Sequence, residues 1–220
     1  MNIIARIRNH YDSKFGVPRQ SGLVETVVSE IVFEPDYRVP EALRGIEDFS
    51  HLWLIWAFDK AEREKWSPTV RPPRLGGNRR VGVFATRSPY RPNAVGLSCV
   101  RLLGVEQGRD GPVLKVSGAD LMNGTPIYDI KPYLPYTDCR PEATGGFTDR
   151  TEKRRVTVRI PDDAAAQMNE ADLNALRAVL EEDPRPAYQD DPERIYAFEF
   201  AGKHITFQVA GELLTVQSIS

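Results

Sequence analysis

Cysteine is nearly missing from this 220-residue chain, with only Cys99 and Cys139, forty residues apart. That pair builds neither a disulfide framework nor a zinc-ligand spacing, and a reducing, cytoplasmic setting is the expectation. No run approaches the ~18 consecutive apolar residues of a membrane span. The start, Met1-Asn2-Ile3-Ile4-Ala5-Arg6, lacks the charged, apolar and small-residue order of an export signal, so no leader is expected. Glycine-rich phosphate loops are absent too: neither G-x-G-x-x-G nor G-x-x-x-x-G-K-[ST] occurs, and Gly76-Gly77-Asn78 fits neither. There is no G-x-S-x-G nucleophile elbow. The histidines, His10, His51 and His204, are scattered and suggest no metal.

What is present is a chain 41% hydrophobic and 27% charged, long enough to bury a core without a staple. The formal charge of −2 argues against a polyanionic partner until it is divided along the chain. From Arg71 to Arg101 there are seven arginines and no lysine, aspartate or glutamate, whereas Pro161 to Arg194 holds ten acids against three arginines. An arginine-only belt suits forked recognition of phosphate or carboxylate.

The first 140 residues read as short strands between Gly and Pro: Val24–Phe33, His51–Phe58, Arg80–Ala85, Val95–Leu103, Val113–Ser117 and Pro126–Tyr133. His51–Phe58 is apolar on both alternating faces, as in a strand buried on both sides. A short helix is expected near Pro40–Gly45, and many short strands with little helix argue for a sandwich or barrel. Asp138–Thr151 reads as a break. Beyond it come a strand at Arg155–Ile160, a helix at Asn169–Glu182 capped by Asn169, a hairpin of Ile195–Phe200 and His204–Val209, and a last strand at Leu213–Ile219. The expected division is a β domain at 1–140, a linker at 141–154 and a small α+β module at 155–220.

Four segments could carry chemistry. Phe15–Leu23 holds Arg19 and Gln20 on a stiff turn set by Pro18 and flanking glycines, beside the alternative of a routine surface loop. Arg71–Arg80 splays Arg71, Arg74, Arg79 and Arg80 from an extended Pro-Pro backbone, fit for a polyanion but not for choosing bases. Ala85–Ser98 carries Arg87, Arg91 and Asn93 in a loop stiffened by Pro89 and Pro92. Ala119–Tyr133 contains an Asn123-Gly124 turn, then Asp129, Lys131 and Tyr133 spaced by two and therefore on one strand face. That trio reads either as an acid, base and phenol set or as a surface ion pair beside a packed Tyr.

VPRQSGL, EDFSHLWLIWAF, VRPPRLGGNRRVGVFATRSPYRPNAVGLS, DLMNGTPIYDIKPYLPY and the distal DPRPAYQ occur in this order. With them the chain resembles the TsaA-like (TrmO) family of tRNA methyltransferases over essentially its whole length. The resemblance implies a single antiparallel-rich, non-Rossmann β-barrel with S-adenosylmethionine as methyl donor. It also implies a homodimer, and tRNA as substrate, methylated on N6 of threonylcarbamoyladenosine-37 in the anticodon loop. Cofactor contacts are implied at Pro18, Arg19, Gln20, Asp59, Lys60, Arg87, Leu97, Cys99, Ala119, Asp120, Leu121 and Met122. The family often has His where Asp59 stands. Substrate contacts are expected at Arg71, Arg74, Arg79, Arg80, Arg91 and Asn93, and catalytic roles at Asp129, Lys131 and Tyr133. Two alternatives stay open: a non-catalytic RNA-binding barrel, and a methyltransferase of another small substrate. No metal and no membrane are expected.

Overall fold

The computed structural model describes residues 1–61, 66–151, 154–185, 189 and 191–220. Its first part contains β1 (Ala5–Arg8), β2 (Val28–Phe33), β3 (His51–Ala57), β4 (Thr69–Val70), β5 (Val81–Gly82), β6 (Val95–Gly108), β7 (Gly111–Ser117) and β8 (Pro126–Pro132), followed by one helical turn, α1 (Pro135–Asp138). The second part contains β9 (Thr157–Arg159), α2 (Asp162–Ala165), α3 (Glu170–Glu181), β10 (Tyr196–Phe200), β11 (Lys203–Ala210) and β12 (Leu213–Ile219).

The chain is mainly β, as its pattern indicates. Six strands form a closed barrel in the order β1-β2-β7-β6-β3-β8, and every neighbouring pair is antiparallel. Alternate residues fill it: Ala5, Ile7, Ile31, Leu52, Leu54, Val100, Leu114, Val116, Leu121 and Ile127 are 0–1% exposed except Ala119 at 2% beside them. The second part is a four-stranded sheet, β10-β11-β12-β9, with β9 parallel to β12 and α3 laid across one face. Asn169 caps α3 as expected, its Oδ1 accepting from Asp172 N–H at 2.9 Å. Leu176, Val179 and Leu180 are buried on its inner stripe, while Leu173 is half-buried.

Several sequence expectations need correction. β1 carries two arginines in four residues, too short a pattern to announce a strand, yet it closes the barrel. The expected strand from Val24 begins only at Val28, because Val24 and Val27 are buried in the other core. β3 is buried on one face only; His51, Trp53 and Ile55 lie half-buried on the outside. Arg80–Ala85 contains a two-residue strand and then a 3-10 turn over Val83–Ala85. Pro40–Leu43 is likewise a 3-10 turn rather than an α-helix.

The N-terminal chain crosses between the two parts. Tyr11, Val24 and Val27, with Phe15 and Val17 beside them, pack in the same cluster as Leu176, Phe198, Phe200, Phe207 and Leu214. Phe15 packs against Tyr196 and Phe207, 6.2 Å from each ring, while those two rings stack on each other at 5.4 Å. Residues 10–27 thus leave the barrel after β1, enter the distal core and return to β2.

Candidate functional site

The site grows from an open strand edge. β6 pairs with β3 from Val95 onward but meets β7 only at Arg101. Beside residues 95–100 the missing neighbour is replaced by the turn at 18–22: Cys99 N–H donates to Ser21 Oγ at 3.2 Å, and Gly22 N–H to Gly118 O at 2.8 Å. Gly22 takes a φ of +77°, a conformation that favours glycine.

This turn is held from behind and in front. Arg19 donates through Nη2 to the carbonyls of Asp183 (3.0 Å) and Arg185 (2.7 Å). Those residues form a buried bidentate pair of their own, Arg185 Nε to Asp183 Oδ1 at 2.8 Å and Nη2 to Oδ2 at 2.9 Å. In front, Arg87 Nη1 donates to Gln20 Oε1 at 2.5 Å. Arg87 comes from the proline-stiffened loop, where Arg91 Nη1 donates to Thr86 O and Ser88 O and staples the turn. One arm of Arg91, expected to hold substrate, therefore serves its own loop.

A polar relay runs inward from the same edge. Trp56 Nε1 donates to Ser98 Oγ at 2.9 Å, and Ser98 Oγ donates to Asp120 Oδ1 at 2.5 Å. Burial raises the Asp120 carboxyl above its usual range, against the lowering pull of Ser98 and Arg87. Burial also pushes the Tyr11 phenol up, with Asp120 adding to it. A carboxylate kept in a partly dry place has a strong preference for a cation beside it.

The outer barrel face carries the remaining groups. By strand register Leu97, Ile55 and Asp129 form one row, and Cys99, Trp53 and Lys131 the next. Asp129 and Leu97 are thus two strands apart, or about 10 Å. Asp129 Oδ2 lies 3.1 Å from Lys131 Nζ, and its Oδ1 accepts from Ile130 N–H. Tyr133 follows the same strand, its ring 5.6 Å from that of Trp53. Loss of solvent raises the Tyr133 phenol, with Cys139, Cys99 and Asp138 contributing. Trp53 Nε1 donates to Asp138 Oδ2 at 2.9 Å, which ties α1 over this face.

The structure brings together Arg19, Gln20, Arg87, Cys99 and Asp120, and places Leu97, Asp129, Lys131 and Tyr133 on the face next to them. Pro18 is buried beneath the turn. Ala119 and Leu121 point into the barrel core, at 2% and 0% exposure, so only their backbone can meet a ligand. Met122 begins the turn closed by Thr125 N–H to Met122 O. Asp59 and Lys60 are exposed in a 3-10 turn after β3, beside the start of β6. Arg71, Arg79, Arg80 and Asn93 are exposed; the Arg74 side chain lies outside the described residues, as do parts of the DPRPAYQ segment. The sequence reading overlooked Trp56. Its signal was a tryptophan on a buried strand, whose N–H needs an acceptor on the neighbouring one.

Among the described residues no group of His, Cys, Asp and Glu could hold a metal ion, and no helix is long and apolar enough to cross a membrane.

A barrel with no dinucleotide fingerprint, whose open strand edge sets a guanidinium beside a half-dry carboxylate, is a ligand-binding β fold outside the Rossmann class. Comparison with known proteins gives the particular family. Family models for the tRNA-methyltransferase O N-terminal domain and the TrmO C-terminal domain match residues 6–139 and 153–220. An Escherichia coli K12 protein named tRNA (adenine(37)-N6)-methyltransferase is 42% identical over 196 residues, spanning 86% of this chain and 83% of that protein. One of the same name from Eikenella corrodens is 39% identical over 171 residues, 78% of this chain and 97% of its own length. A crystal structure of TrmO from Pseudomonas aeruginosa superposes with a TM-score of 0.80 at 32% identity, covering 99% of this chain and 94% of that one. The chain belongs to the tRNA-methyltransferase O family.

Proposed function

We propose that this protein transfers a methyl group from S-adenosylmethionine to N6 of the adenosine at position 37 of tRNA, with threonylcarbamoyladenosine as the form it accepts. The observation that carries the reading is the assembly of Gln20, Arg87 and Asp120 around the edge of β6 that β7 does not pair. Those groups fit the donor. Asp120 suits a sulfonium or ammonium charge, Arg87 suits a carboxylate, and the β6 edge beside the Cys99–Ser21 hydrogen bond suits the hydrogen-bonding rim of an adenine. A Pseudomonas aeruginosa relative, 42% identical over 201 residues, carries the provisional name of an S-adenosylmethionine-dependent methyltransferase.

When bound, S-adenosylmethionine supplies an electrophilic methyl group for in-line displacement. The chain's residues then have two tasks, alignment and proton handling. The braced turn at 18–22 and the stapled loop at 86–91 give rigid positioning. Asp129, whose Oδ2 lies 3.1 Å from Lys131 Nζ, accepts the N6 proton, and Tyr133 orients the base or that carboxylate. The outer arm of Arg91 grips the threonyl carboxylate, and Arg71, Arg74, Arg79, Arg80 and Asn93 meet the RNA backbone. Pro18, Arg19, Asp59, Lys60, Leu97, Cys99 and residues 119–122 complete the cofactor pocket. Residues 1–140 form the catalytic barrel and 155–220 the module behind it, in a cytoplasmic homodimer acting on the anticodon loop.

The test combines calorimetry with S-adenosylmethionine and mass spectrometry of nucleosides from tRNA incubated with the purified protein. Cofactor binding with appearance of methylated threonylcarbamoyladenosine is expected. Binding without methylation of any tRNA would favour another small substrate, and absence of binding a non-catalytic RNA-binding barrel.

A further inference from the structure

β4 and β5 form a two-stranded ribbon that stands apart from both larger sheets. Thr69 faces Gly82 and Val70 faces Val81, and Val83 N–H donates to Pro68 O at 3.0 Å. Continued by one residue, the register sets Arg71 opposite Arg80 at one end. At the other end Trp66 and Phe84 meet as a stacked pair, ring centroids 6.1 Å apart and planes inclined by 27°. Phe84 is 73% exposed and Trp66 49%. A stacked aromatic pair left this open is unusual on a monomer's surface, where large apolar groups are normally covered.

The charge along the chain on either side of Phe84 is of one sign, whereas the segment before Trp66 mixes Asp59, Glu62 and Glu64 with Lys60, Arg63 and Lys65. Arg71, Arg79 and Arg80 are exposed at the far end of the ribbon. Phe84 and Arg80 are four residues apart, at most ~14 Å of extended chain. On the other side Arg87 is three residues from Phe84, at most ~11 Å, and is fixed to Gln20. No acidic residue lies between positions 71 and 101. An uncharged π surface between guanidinium groups matches the alternation of base and phosphate in a single strand, and sequence-tolerant single-strand binding uses that combination.

We propose that Trp66 and Phe84 form a stacking platform for one unpaired base of the RNA loop that carries the target adenosine. This rests on the tRNA reading above and adds to it the way the loop is held. The platform positions the loop beside the cofactor cleft and leaves the reacting atoms to other groups.

The experiment measures binding of a fluorescently labelled anticodon stem–loop to the full chain. Phe84→Ala and Phe84→Leu should each weaken it roughly 5- to 140-fold, the range given by ~1–3 kcal/mol per stacked base. Phe84→Tyr keeps the ring and should keep wild-type affinity, and calorimetry should show unchanged S-adenosylmethionine binding for all three. A set of stem–loops, each abasic at one loop nucleotide, locates the base. One abasic position should cost the wild type what Phe84→Ala costs, and cost Phe84→Ala nothing further. Wild-type affinity in Phe84→Leu would overturn the platform. So would conversion of a dimer to a monomer by Phe84→Ala at unchanged RNA affinity, which would assign the ring pair to a second copy of the chain. Failure of the wild type to methylate any tRNA would instead remove the underlying reading.

Discussion

Replacing Gly96 by alanine tests the polar relay without touching a charged group. Gly96 lies on β6 opposite Trp56 of β3 and is buried. Its φ is not in the left-handed region, so the backbone itself admits a side chain. The space does not. An added Cβ would stand 2.6 Å from Trp56 Cδ2 and closer still to Cε2 and Cζ2. The indole is hemmed in: Trp56 is 6% exposed, its Nε1 is bound to Ser98, and its ring centroid lies 4.2 Å from that of Phe58. Overpacking costs ~1–3 kcal/mol, and the displaced Trp56–Ser98 hydrogen bond adds ~0.5–1.5 kcal/mol. A loss of about 3 kcal/mol corresponds to a fall in Tm of roughly 6–12 °C for a chain of this size. Scanning calorimetry measures that fall, and titration with S-adenosylmethionine should show weakened binding once Ser98 no longer fixes Asp120. Trp56→Phe in the same chain should recover about 1 kcal/mol or more relative to the sum of the single changes. A Gly96→Ala protein with wild-type Tm and wild-type cofactor affinity would refute the reasoning.

Three further outcomes follow from the same geometry. Lys115, and secondarily Arg8, lower the Glu30 carboxyl, so its stabilisation is present above the unfolded value near ~4.3 and lost as pH falls through the lower folded value. Lys115 is raised by Glu30, so its share is lost only as pH climbs through the raised value, above ~10.4. Glu30→Gln should therefore lower the urea midpoint at neutral pH by the equivalent of ~1 kcal/mol and leave it unchanged in strong acid; a deficit that persists in acid would contradict the pairing. Asp129→Asn should reduce kcat by ~10²-fold or more with little change in KM for tRNA, and full turnover in both Asp129→Asn and Tyr133→Phe would remove the trio from catalysis. Arg79→Ala and Arg80→Ala should each flatten the salt dependence of tRNA binding by about one unit of slope, and an unchanged slope would place the phosphates elsewhere.

The distal hairpin was legible because its strands alternate cleanly and Ala201-Gly202 has turn chemistry, both residues adopting positive φ at 52° and 71°. The helix capped by Asn169 was legible for the same reason, since local signals sufficed. The outer face of β3 was misread because half-buried Trp53 and Ile55 look like core residues when the partner is a single turn of helix rather than a sheet. Residues 24–27 were assigned to a strand because a run such as Val24-x-x-Val27-Val28 does not reveal which of two cores takes each residue. The candidate site was legible as motifs and not as geometry. Arg19, Gln20 and Arg87 stand out by type, but only the missing β7 partner at residues 95–100 explains why they converge.

That convergence also depends on the acidic module. A turn of five residues between a barrel and solvent would move freely. This one is clamped, because the chain before it passes through the distal core and Arg19 forks onto the carbonyls of Asp183 and Arg185. Asp183 holds a φ of 46° there, a costly conformation for a non-glycine residue, and the buried ion pair with Arg185 compensates for it. Gly16, at a φ of +99°, packs so closely on Phe198 that an added Cβ would lie 2.6 Å from its Cδ2, so the approach tolerates no side chain. Strain and close approach on the distal side therefore fix the position of Gln20, and through Gln20 that of Arg87, on the barrel side. The contact carries charge as well as apolar packing: the Arg19 guanidinium forks onto the module's carbonyls, and His10 Nδ1 lies 3.3 Å from Asp172 Oδ1 on α3.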